Sequence, residues 1–168
     1  MEQCVINKPL LSLVQIHPDI PQNTGNIARL CVGLQADLHL VRPMAFVIDD
    51  RRVKRAGLDY WPQLSLTIHE TLDIFLQSRE TKRFFFLTTK ATQCYTHVAY
   101  RAGDTLVLGS ESRGLPADLL VRFGAQTVGI PMPGAVRSLN VSNAAAIVAY
   151  EAYRQIMVGV NDGPSKLA

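Results

Sequence analysis

Residues 105–116 read TLVLGSESRGLP, and this stretch decides the fold. Thr105 to Leu108 is apolar without alternation, so it reads as a strand buried on both faces, as in a parallel sheet. It runs directly into Gly109, Ser110, Glu111, Ser112, Arg113 and Gly114, and Pro116 then opens a helix to Arg122. The same unit recurs on both sides. Strands are expected at Leu10–Ile16, Asp37–Val41, Leu64–Ile68, Arg83–Leu87 and Gln126–Ile130. Helices are expected from Asn23 or Thr24 to about Val32, ended by Gly33, and at Asp49–Gly57, Thr71–Gln77 and Asn140–Val158. The alternation predicts an α/β fold, a mostly parallel sheet with helices on both faces.

The chain has 168 residues, 48% of them hydrophobic, which suits one domain over 1–160 with a frayed tail at 161–168. Its net charge of +3 is too small to establish a nucleic-acid partner, although Arg outnumbers Lys twelve to five. The three cysteines at 4, 31 and 94 are an odd, widely spaced set, expected to be reduced thiols and no metal site. No signal peptide or membrane span is read, so a cytoplasmic protein is expected.

Ligands of open α/β sheets bind beyond the carboxyl ends of the strands. Three such ends carry polar residues with Gly or Pro: Asn23 to Arg29, Gly109 to Gly114, and Ile130–Met132 through Ser138–Asn140. The sequence holds no dinucleotide fingerprint, phosphate loop, nucleophile elbow or zinc-protease motif. His39 lies inside an apolar strand and reads as a core residue, whereas His17 precedes the first of the three loops.

In order, the three loops resemble the three motifs of the SpoU branch of SPOUT RNA methyltransferases: PQNTGNIAR from Pro21, LGSESRGLP from Leu108, and IPM from Ile130 with SLNVSNA from Ser138. Arg52, Arg55–Tyr60 and Leu87–Lys90 further resemble a minimal bacterial subfamily that methylates the wobble ribose of leucine tRNAs. The resemblance implies a C-terminal deep trefoil knot, which general topology rules would not propose. It also implies a homodimer packed through the last helix, S-adenosylmethionine as cofactor and tRNA as substrate, with no metal.

The cofactor positions implied are Leu87, Thr88, Gly109, Ile130, Met132, Ser138 and Leu139. The catalytic positions implied are Arg29, Asn23, Glu111, Ser138 and Asn140. Arg29 is the residue the motif assigns to the 2′-hydroxyl. A guanidinium keeps its protons, so it suits a phosphate anchor or a stabiliser of alkoxide charge better than a literal base. Glu111 is expected to orient Arg29, and Gly109 to let the backbone approach the ligand. Arg51, Arg52, Lys54, Arg55 and Arg113 are the expected phosphate contacts. Two alternatives stay open: a SpoU enzyme acting on another tRNA position or on ribosomal RNA, and a non-catalytic RNA-binding module. Ala144, Ala145, Ala146, Ala149 and Ala152 suit either a helix interface or packing on the sheet.

Overall fold

The computed structural model describes residues 9–48, 60–80 and 82–158. The expected helix at Asp49–Gly57, the tail at 161–168 and Cys4 lie outside them. Strands β1 (Leu11–Ile16), β2 (Asp37–Val41), β3 (Leu66–His69), β4 (Phe84–Leu87), β5 (Asp104–Leu108) and β6 (Thr127–Val128) form one sheet in the order β3-β2-β1-β5-β4-β6. Every pairing is parallel, as the unbroken apolar runs require. The chain steps outward from β1 to β3, crosses to β4 on the far side, and returns with β5 beside β1. The direction of winding therefore reverses between β1 and β5, where a crevice opens at the strands' carboxyl ends. The implied knot concerns the threading of the loops after β4, β5 and β6, and this strand order is compatible with it.

Helices α1 (Pro21–Leu34) and α4 (Val141–Val158) cover one face. Ile27, Cys31, Val148 and Ala149 pack there on Leu13, Leu38, Leu40 and Leu106. Helices α2 (Leu72–Ser78) and α3 (Ala117–Arg122) cover the other, where Phe75 and Leu119 meet Val14, Ile16, Phe84, Phe86 and Val107. The alternation of Phe84, Phe85 and Phe86 across the sheet explains their split between the two cores. The alanines of α4 divide: Ala145, Ala149 and Ala152 are buried, while Ala144 and Ala146 are half-buried.

Three boundaries differ from expectation for a reason the structure shows, beyond shifts of one or two residues elsewhere such as β3 beginning at Leu66. Helix α1 starts at Pro21 after Ile20, so neither Asn23 nor Thr24 caps it; both are buried in its first turn and bond elsewhere. It ends at Gln35, which takes the left-handed conformation at φ 52°, and Gly33 stays inside the helix. The last strand shrinks to Thr127–Val128 because the chain turns away at Gly129 toward the loop after β4.

His39 is buried, as its strand position implies, but in an unusual way. The Arg79 guanidinium contacts His39 Nε2 and donates to Ser12 Oγ at 2.9 Å. A guanidinium only donates, so His39 Nε2 accepts and its proton is assigned to Nδ1, which lies 3.0 Å from His69 Nε2. Both rings are held neutral. Burial first, then Arg79 and His69, push His39 down to about 3; burial and Arg79 also lower His69.

An unfolded imidazole takes up its proton near pH 6.5, whereas folded His39 does so only near 3. The unfolded chain binds more protons at this site between those values, so the His39 contribution to stability falls as pH drops below about 6.5 and is constant above it. Denaturant midpoints for the wild type at about pH 7.5 and pH 5 should therefore differ, and His39→Leu should lose much of that difference.

The turn after β5 generates a second expectation. A Cβ on Gly109 would lie 2.1 Å from the Gly114 carbonyl carbon and 2.3 Å from Leu115 N. Gly109 is thus required by the chain's own backbone, a demand that stands beside the close approach to a ligand expected of it. Gly109→Ala should cost about 3 kcal/mol or more in denaturant unfolding. Gly33→Ala, with no atom within 4 Å inside a helix, should instead stabilise by about 0.5–1 kcal/mol.

Candidate active site

Beyond Leu108 the chain folds back on itself. Ser110 N–H donates to Gly114 O at 3.1 Å, and Gly114 N–H returns to Ser110 O at 2.9 Å. Gly114 sits at φ 70°, a conformation a side chain would resist. Glu111 projects from this small loop toward the end of β1.

Its carboxylate gathers three neutral donors. Gln15 Nε2 and Asn23 Nδ2 donate to Oε1, each at 3.0 Å, and the Asp19 amide donates to Oε2 at 2.8 Å. Asp19 answers with its own carboxylate, accepting the Ser112 hydroxyl and amide. That hydroxyl bond is the main reason the Asp19 carboxyl lies below its usual range. Asn23 Oδ1 accepts from Asn140 Nδ2 at 2.9 Å. Asn140 Oδ1 accepts the Ser142 amide at 2.9 Å and so caps α4. One chain of hydrogen bonds therefore joins β1, α1, the loop after β5 and the start of α4.

Beside this network lies a pocket of about 540 Å³. Leu87, Thr88, Gly109, Ile130, Met132, Ser138 and Leu139 all line it, as do Asn23, Glu111, Asn140 and Arg113. The three loops separated in sequence thus meet at one cavity. Its volume suits a drug-sized ligand. Apolar side chains such as Leu87, Ile130, Met132 and Leu139 can sandwich a flat ring, while Glu111, Ser138 and Asn140 offer polar partners. Such a lining fits an adenosyl group with a charged tail. Among the described residues, no cluster of three or more His, Cys, Asp or Glu is placed to hold a metal.

Arg29 is not part of this pocket's wall. It is exposed on α1, with its guanidinium 5.0 Å from the centre of the Tyr60 ring, and Tyr60 Oη donates to Gly25 O at 2.8 Å. Within the chain Glu111 does not pair with Arg29, which lies over the Tyr60 ring; its carboxylate accepts instead from Gln15, Asn23 and the Asp19 amide. Arg51, Arg52, Lys54 and Arg55 lie outside the described residues. His17, half-buried at φ 51°, follows β1 but does not line the pocket; burial, then Arg113, lowers it. Sequence reading missed Gln15, Asp19 and Ser112 as site residues. Gln15 had one legible signal, a polar side chain in the apolar run LLSLVQI. Cys31 and Cys94 are free thiols, as expected. Among the described residues, no helix is long and apolar enough to cross a membrane.

Comparison with known proteins agrees with this arrangement. Residues 10–150 match the SpoU rRNA Methylase family. The chain is 46% identical over 148 residues to the tRNA (cytidine(34)-2′-O)-methyltransferase of Escherichia coli (strain K12), covering 88% of this chain and 94% of that protein. It is 44% identical over 149 residues to the enzyme of the same name from Burkholderia cenocepacia (strain HI2424), covering 87% and 96%. A solved structure concerned with 2-OH methylation of C/U34 on tRNA superposes with a TM-score of 0.82 at 45% identity, covering 89% of this chain and 97% of that one. The SpoU methyltransferase AviRb from Streptomyces viridochromogenes shares the fold at a TM-score of 0.75 and 24% identity, covering 89% and 61%. With three motifs converging on one pocket and the family match spanning most of its length, the chain belongs to the SpoU RNA methylase family and is a methyltransferase.

Proposed function

We propose that this protein methylates the ribose 2′-hydroxyl of nucleotide 34, cytidine or uridine, in leucine tRNAs. The observation that carries the reading is the meeting of the three motifs at one pocket, in a chain 46% identical to a cytidine-34 enzyme. Enzymes of this family use S-adenosylmethionine, which when bound supplies an electrophilic methyl group on a sulfonium. Leu87, Thr88, Gly109, Ile130, Met132, Ser138 and Leu139 are the residues to hold it, the apolar ones against the adenine and the backbone of Ile130 and Leu139 at its edge. Glu111, Asn23 and Asn140 keep the loops in register around the reacting ribose, and Ser138 offers a hydroxyl beside it. Arg51, Arg52, Lys54, Arg55 and Arg113 are assigned to tRNA phosphates, and deep knotting of the C-terminal loops belongs to the same reading.

The test is direct. Purified protein incubated with S-adenosylmethionine and leucine tRNA should yield a 2′-O-methylated nucleoside, mapped to position 34 by nuclease digestion and mass spectrometry. Methylation elsewhere in tRNA, or only in ribosomal RNA, would overturn the assignment of position.

A homodimer is part of the proposal. Ile147 and Tyr150 are exposed on α4 at 37% and 54%, an apolar stripe beside half-buried Ala146 and Tyr153. Arg29 lies outside its own pocket, so we assign it to the pocket of the partner copy. Arg29→Ala and Glu111→Ala should each be inactive alone. Mixed after subunit exchange, they should recover roughly a quarter of wild-type activity, since half the dimers are mixed and each has one intact site. No recovery would place Arg29 on its own chain's site.

A further inference from the structure

Gln15 is fully buried in β1. It falls on the face whose other β1 positions, Leu11 and Leu13, pack in the apolar core under α1 and α4. An amide there costs desolvation that a leucine would not. Its two bonds show what it does. Thr24 Oγ donates to Gln15 Oε1 at 2.7 Å, and Gln15 Nε2 donates to Glu111 Oε1 at 3.0 Å. The Glu111 carboxylate only accepts, so it takes the NH₂ end of the amide, and the Thr24 hydroxyl, able to give or take, donates to the oxygen that remains. A flipped amide would set two acceptors against each other.

We propose that Gln15 is a positioning residue, with Thr24 pairing its carbonyl oxygen. It holds Glu111 in the one orientation that also grips Asn23, and through Asn23 it sets Asn140 at the end of the loop that leads into α4. None of the three sequence motifs contains Gln15, and it touches neither the pocket nor the reacting groups. It acts through Glu111. The proposal rests on the functional reading only for its catalytic readout; the effect on cofactor binding needs no RNA.

Three variants test it. Gln15→Leu fills the same apolar space without the amide. It should weaken S-adenosylmethionine binding about fivefold by calorimetry and lower kcat by a larger factor, with KM for tRNA unchanged. Its thermal midpoint should stay near that of the wild type. Thr24→Val leaves the buried Gln15 oxygen without its donor and should reproduce the loss in milder form. Gln15→Glu brings a second carboxyl beside Glu111, so the two share a proton. While protonated it can donate as the amide does. Its activity relative to wild type should therefore recover as pH falls and vanish as pH rises, a profile that a packing role does not produce. The proposal is overturned if Gln15→Leu binds cofactor within twofold of wild type. It is equally overturned if Gln15→Leu loses stability and binding in parallel while Gln15→Glu shows no pH-dependent recovery. Loss of cofactor affinity in Gln15→Leu, in a wild type that leaves nucleotide 34 unmethylated, would support the positioning role and overturn the assigned substrate.

Discussion

A carboxylate with more acceptor capacity than one partner can fill is what draws the site together. Glu111 Oε1 takes one donor from β1 and another from α1, and Oε2 takes the backbone of the segment between them. Each donor lies roughly 90 residues away in sequence, with separations of 96, 88 and 92. Without that anchor, the side-chain bonds of the loop after β5 to the rest of the chain would come down to those of Ser112 with Asp19. With it, the same loop holds α1, and α1 holds the start of α4 through Asn23 and Asn140. The backbone makes this possible, because only a chain lacking a side chain at 109 can reverse so closely before Glu111.

The sheet supplies the geometry on which the anchor acts. Parallel strands bring all their carboxyl ends to one edge, and the reversal of winding puts β1 directly against β5. Gln15 pairs with Leu108 in that register, so the amide and the loop carrying Glu111 start side by side. The two cores clamp the strands from both faces, leaving little freedom for the edge from which the loops emerge.

Much of this was legible in the sequence. TLVL, LLSLVQI and RFFFL have no alternation and no breakers, and the physics of a doubly covered sheet asks for that. The loops that line the pocket are likewise legible, because Gly and Pro mark the sharp turns on which they sit, while their individual positions rest on the resemblance to the SpoU motifs. Less legible were the facts that need two distant segments at once. Proline at the first helical position defined the start of α1, while Asn23 and Thr24 looked like caps because their side chains suit capping. In the fold those side chains had better partners in Glu111 and Gln15. Glu111 looks like a partner for Arg29 on charge alone, yet within its own chain it is held by three neutral donors. Short-range patterns name the residues, and long-range pairing decides what they do.

The bonds that assemble the pocket run between one carboxylate and uncharged amides, and between amides themselves. Salt screens exposed ion pairs strongly and partly buried neutral hydrogen bonds far less. Contacts to a polyanion through exposed guanidinium groups have the opposite character. On the proposed reading the two tasks separate by ionic strength: added salt would release a bound nucleic acid while the pocket keeps its shape.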